Sequence, residues 1–125
     1  MAGTVTITYS TPGAHIKWAK WAWTSDASGD VSGTDTKSLD GKALSWVTNP
    51  DGTDVPTTLY DIVVNDADGA DVAAAGLANR SATAGEKVNA DPPQAFNGAL
   101  SLVVAAAGNA KKGTLTMYYE GRAQP

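Results

Sequence analysis

Apolar and polar residues alternate with the period of a β-strand along much of this chain. From Thr4 to Tyr9 the order Thr-Val-Thr-Ile-Thr-Tyr sets Val5, Ile7 and Tyr9 on one face and Thr4, Thr6 and Thr8 on the other. Thr11-Pro12-Gly13 ends that strand, because proline cannot donate to a ladder and glycine takes the backbone angles of a turn. The next segment, His15 to Thr24, starts with Ile16 and Trp18 in phase and continues with Trp21 and Trp23 out of phase. One extra residue at Ala19-Lys20, a β-bulge, returns all four to a common face. A helix with Trp18 and Trp21 three apart competes, but the aromatic richness and the Ser/Asp/Gly run that follows favour a strand.

Ser25 to Lys37 reads as a turn-rich loop with a short strand around Val31 to Thr36. Asp40-Gly41 is the pair favoured in tight hairpins, and Leu44, Trp46 and Thr48 alternate with Ser45 and Val47 beyond it. Asn49-Pro50-Asp51-Gly52 closes that strand as a β-turn. Tyr60 to Val64 is apolar at nearly every position, which predicts a central strand covered on both faces. After the Asp66-Ala67-Asp68-Gly69 turn, Ala70 to Val72 predicts a short return strand, and Ala73 to Ala78 either a helical turn or a tight loop. Thr83 to Glu86 has the spacing of a capping box and predicts one helical turn through Val88. Asp91-Pro92-Pro93-Gln94 predicts a stiff connector without regular structure. The carboxyl end predicts a hairpin, with Leu100, Leu102, Val104 and Ala106 on one face of the first strand and Leu115, Met117 and Tyr119 on one face of the second.

Seven or so short strands separated by Gly, Pro and Asp turns predict an all-β fold, an antiparallel β-sandwich or jelly-roll-like barrel. It would carry long Gly/Asp/Ser-rich loops and at most one or two short helical turns. At 125 residues the expected organisation is one domain over 1–125, with 121–125 as a tail. Alanine-rich apolar content leaves the core to Trp18, Trp21, Trp23, Trp46 and a few aliphatics. A net charge of −4 without a basic stripe argues against nucleic acid. The longest apolar stretch, Leu100 to Ala107, is too short for a membrane helix, so no membrane partner is expected. Cysteine is absent, which removes disulfides and thiolate metal sites and fits synthesis in a cytoplasm.

The chemistry-bearing residues form few patterns. Asp66, Asp68 and Asp71 beside Asn65 offer the oxygen donors a calcium ion wants, but the twelfth position counted from Asp66 is Leu77, where a calcium loop needs a bidentate Glu. Asp-rich turns also form because the side chain bonds its own backbone, which is the favoured reading. His15 is the sole histidine and lacks a nucleophile context, so a surface residue is expected. Glu86 and Glu120, the two glutamates, have no spacing that suggests paired carboxylate catalysis. No enzyme, cofactor or metal is expected. The Trp and Tyr residues could build a sugar-stacking platform, although filling an alanine-rich core is the more economical use of them.

A collinear set of segments resembles small tailed-bacteriophage virion structural proteins of the capsid decoration, or cement, type. They are Trp21 to Gly29, Thr48 to Gly52, Val55-Pro56-Thr57, Tyr60-Asp61-Ile62, Asp66 to Val72, Gly76, Asn79-Arg80-Ser81 and Ala107 to Gly113. The resemblance implies a protein bound to the major capsid protein on the capsid exterior. It also implies a homo-oligomer, a trimer above all. The expected function is therefore a non-enzymatic head decoration protein that stabilises the shell. A neck or tail structural protein and a carbohydrate-binding β-sandwich module are the alternatives. Lys17, Lys20, Asp66, Asp68, Asp71 and Arg80 are the expected partner-facing residues, Arg80 because a guanidinium pairs bidentately with a carboxylate.

Overall fold

The computed structural model describes residues 3–10, 16–66, 68–73 and 76–121, with the backbone alone for 34–40, 90–93 and 97. The described residues contain six strands and no helix: β1 (Thr4–Tyr9), β2 (Lys17–Thr24), β3 (Val31–Pro50), β4 (Asp61–Asn65), β5 (Glu86–Ala105) and β6 (Lys112–Gly121). All pairings are antiparallel, in the order β1-β2-β6-β3-β5-β4. Strands β3 and β5 are 20 residues each and serve both layers of a β-sandwich. Gly41 to Pro50 of β3 pairs with β6, while Val31 to Thr34 pairs with the end of β5, which in turn pairs with β4. The layers meet where Val5 packs on Gly33, at which a Cβ would stand 2.9 Å from Val5 Cγ2.

The alternation of β1 and β6 appears in the structure as read. Thr4, Thr6 and Thr8 are exposed while Val5, Ile7 and Tyr9 are half-buried, and Leu115, Met117 and Tyr119 are fully buried. Leu100, Leu102 and Val104 are buried too, whereas Ala106, past the end of β5 at φ 63°, is exposed; β5 and β6 do not form the expected hairpin, because β3 lies between them. Burial patterns reveal which face is inward but not which strand is the neighbour. Residues Thr11 to Gly13, His15 and the tail beyond Gly121 lie outside the described residues.

Strand β2 runs in register with β6 from Lys17 to Thr24 and with β1 from Ala19 to Thr24, without the bulge expected at Ala19-Lys20. Trp21 and Trp23 are buried with Ala19 and Lys17, leaving Ile16 45% exposed and Trp18 half-buried on the outer face. A lysine tolerates this position because its ammonium donates to the Gly121 carbonyl at 3.1 Å while its methylene stem covers apolar surface. A register irregularity does occur in β3, at Leu44, where Ala43 and Ser45 face Tyr119 and Tyr118.

Asp40-Gly41 forms no hairpin turn; β3 continues through it. Gly41 has φ 152°, and a Cβ there would collide with the Glu120 carbonyl oxygen, so the glycine is needed for close approach of β6. The loop expected over Ser25 to Lys37 shortens to the turn at 25–30. Asp91-Pro92-Pro93 falls inside β5, but pairing to β3 steps from Asn89 to Gln94, so the prolines interrupt the ladder without ending the strand.

Tyr60 to Val64 is not central. Strand β4 is a sheet edge, with Ile62 and Val64 buried and its outer side covered by 71–73 and 76–80. The Ile62 amide donates to the Leu77 carbonyl at 3.1 Å and the Val72 amide to Val64 at 2.7 Å. The expected return strand reduces to one bridge between Asn65 and Asp71. Residues 74 and 75 lie outside the described residues, and the neighbouring 72–73 and 76–77 are turns. No helical turn forms at Thr83 to Val88. Glu86 opens β5 and its Oε1 accepts from the Ser81 amide at 2.7 Å, while Ser81 Oγ accepts from Thr83 and Ala84 amides.

Candidate interaction surface

The segments after β2, after β3 and before β6 meet at one end of the sandwich. Ser25 Oγ, buried, donates to the Gly108 carbonyl and accepts from the Lys111 amide at 2.8 Å. The Ala107 amide donates to the Gly29 carbonyl at 3.0 Å, and the Thr57 amide to the Ala107 carbonyl at 2.8 Å. Lys112 ties the third loop, its amide on the Asp54 carbonyl at 3.0 Å and its ammonium 3.5 Å from Asp54 Oδ2.

Two aspartates shape these turns. Asp26 Oδ1 accepts from the Ser28 and Asp30 amides, and Asp51 Oδ2 from the Asp54 and Thr53 amides. These amides, Asp30 foremost for Asp26 and Asp54 foremost for Asp51, hold both carboxyls below the ordinary range. Beside exposed polar residues such as Ser28, Asp30, Thr53, Thr57, Thr58 and Asn109, these loops leave two large apolar side chains outward. Val55 is 36% and Leu59 58% exposed, and Leu59 stands at φ 66°, a left-handed conformation that costs a side-chain-bearing residue energy.

Tyr60, next to Leu59, is buried and packs at a tilt on Trp23 with ring centroids 5.6 Å apart. Burial pushes its hydroxyl up to about 12, Glu86 adds to the rise and Arg80 opposes it. Tyr60 Oη and the Nε1 atoms of Trp21, Trp23 and Trp46 are buried without a hydrogen-bond partner among the described residues. Three of the four tryptophans thus fill the core, and no flat aromatic platform for sugars is presented by them.

The expected partner-facing residues scatter. Asp66 Oδ1 accepts from the Asp68 and Ala70 amides at 2.9 and 3.1 Å, and Asp71 Oδ1 from the Ala73 amide at 3.0 Å. These carboxylates therefore shape the backbone, as the turn reading expects; Asp68 is exposed. Among the described residues no three His, Cys, Asp or Glu side chains are grouped to hold a metal ion. Arg80 turns inward, with Nε and Nη2 donating to the Ala78 carbonyl and Nη1 3.7 Å from Glu86 Oε1. Lys17 is buried on the core face, whereas Lys20 is exposed on the outer face beside Thr8 and Thr116.

That outer face carries an open cleft of about 530 Å³ lined by Thr4, Thr6, Thr24, Thr114, Asn49 and Lys112 among others. Its hydroxyls can hydrogen-bond a partner, and Asp51 and Lys112 also line it. Val55 and Leu59 were missed from the sequence, where isolated apolar residues in a loop carry no signal of exposure.

No protein-family model matches the chain, and no curated protein is detectably similar to it.

Proposed function

We propose that the protein is a non-enzymatic virion structural protein that binds the major capsid protein on the outside of a bacteriophage capsid and stabilises the shell. The observation that carries this reading joins sequence and structure. Segments that bear the resemblance, Trp21 to Gly29, Thr48 to Gly52, Val55-Pro56-Thr57 and Ala107 to Gly113, are laced together at one end of the sandwich. Their polar groups are used to brace one another, which holds a docking surface rigid.

Val55 and Leu59 are the side chains this braced end offers to the capsid. An apolar side chain kept exposed on a strained backbone position is better explained by a contact than by folding. The acidic, cysteine-free composition suits a product made in many copies that stays soluble until it meets the shell.

Incubation of the purified protein with mature capsids tests this. Saturable binding and a raised shell melting temperature are expected, and both should be lost in V55D/L59D. Labelling confined to necks or tails in electron microscopy would move the protein to another part of the virion and sink the decoration reading.

A further inference from the structure

The two edges of the sheet are treated differently. Along β4 the backbone is occupied: Leu59, Ile62, Val72 and Arg80 amides all bond across to the covering residues 71–73 and 76–80 or back from them. Strand β1 has a ladder partner on one side only, β2, among the described residues. It carries no charge, no proline and no bulge, the devices by which edge strands avoid pairing.

The direction of its free groups follows from one bond. The Ser10 amide donates to the Trp18 carbonyl at 2.9 Å, which makes Ser10/Trp18 a hydrogen-bonded pair. In an antiparallel ladder such pairs alternate, so Thr8, Thr6 and Thr4 also turn their backbone groups toward β2. Val5 and Ile7 consequently aim their N–H and C=O away from the sheet. Their side chains are half-buried and pack on the core, Val5 against Gly33 of β3.

We infer that β1 pairs with β1 of a second copy, antiparallel about a two-fold axis at Thr6. In this register Val5 exchanges both backbone bonds with Ile7 of the other copy, and Ile7 with Val5. Thr6 meets Thr6 and Thr4 meets Thr8 on the outer face. Apolar side chains face apolar ones, hydroxyls face hydroxyls, and no charge opposes a charge, so the strand is complementary to itself. Two copies then share one continuous sheet. The contact concerns the protein free in solution and stands whether or not the capsid reading holds.

An interface of one short strand per copy lies at the weak end of the range, so sedimentation is followed over a concentration series up to about 1 mM. The wild type should pass from monomer to dimer. T4K/T8K, at exposed positions, sets like charges opposite each other twice and should weaken dimerisation on the order of tenfold or more. T4K/T8E sets opposite charges in the same places and should restore it. T6K, which faces itself across the axis, should weaken it as well and serves if a double variant melts early. A monomer at every concentration, a trimer, or equal association of T4K/T8K and T4K/T8E overturns the inference.

Discussion

Trp23 lies across Gly113: the two residues face each other on β2 and β6, and a Cβ on Gly113 would stand 2.6 Å from Trp23 Cζ2. The indole fits at 2% exposure because its neighbour has no side chain. G113A should therefore overpack the core and cost about 1–3 kcal/mol. Urea denaturation followed by tryptophan fluorescence measures it; an unchanged midpoint would show that the indole can move aside.

Tyr60 gives the fold an alkaline limit. Its folded value, about 12, lies above the 10.0 of an exposed tyrosine, so folding favours the neutral phenol. That contribution is complete below pH 10 and is lost as pH rises toward 12; its full size is at most about 2–3 kcal/mol. The wild type should lose more melting temperature than Y60F between pH 9 and 11.5, the difference isolating Tyr60 from the lysines that titrate there. Parallel curves would show that the phenol is not desolvated.

Asp26 and Asp51 act in the opposite sense. Backbone amides hold their folded values down, so their contribution is present above the ordinary carboxyl range and lost as pH falls through the lowered values. Carboxyl resonances in an NMR titration should move at lower pH than those of a model aspartate. D26N and D51N should flatten the acid side of the stability curve.

Ser25 joins two loops through one oxygen. S25A would leave the Lys111 amide and the Gly108 carbonyl unsatisfied at a buried position, a loss of about 1–3 kcal/mol. The chemical denaturation midpoint should fall with an unchanged slope, since the surface exposed on unfolding is the same.

Leu59 separates stability from binding. L59G relieves a left-handed leucine at φ 66° and should leave the fold equally stable or up to about 1 kcal/mol more so, offset by the added freedom of the unfolded chain. Capsid binding by the same variant should weaken, because the exposed side chain is gone. A variant both more stable and equally well bound would remove Leu59 from the contact.

How far the sequence could be read differs from strand to strand. The inward face of β6 and of the second half of β5 follows from alternation, because each strand has one wet side and one dry side. In β2 the same logic failed. Apolar Ile16 and Trp18 suggested an inward face, yet Lys17 took the buried position, since its one charge found a carbonyl supplied by Gly121 from the far end of the chain. Asp66 and Asp71 were legible as turn formers because their partners are local amides. Arg80 was not, although its partners Ala78 and Glu86 are near in sequence, because no local pattern marks a guanidinium that turns back onto its own loop.

The sequence by itself determined an all-β chain, the dry faces of β1, β6 and the second half of β5, and the Asp-shaped turn at Asp66 to Gly69. Each of these depends on residues within a few positions of one another. Strand order, the insertion of β3 between β5 and β6, and the passage of β3 through Asp40-Gly41 were decided by tertiary structure alone. So was the meeting of Ser25 with Gly108 and Lys111 that braces the proposed docking end. Those features depend on which dry faces cover each other and where glycine allows backbones to touch, and local alternation carries no record of either.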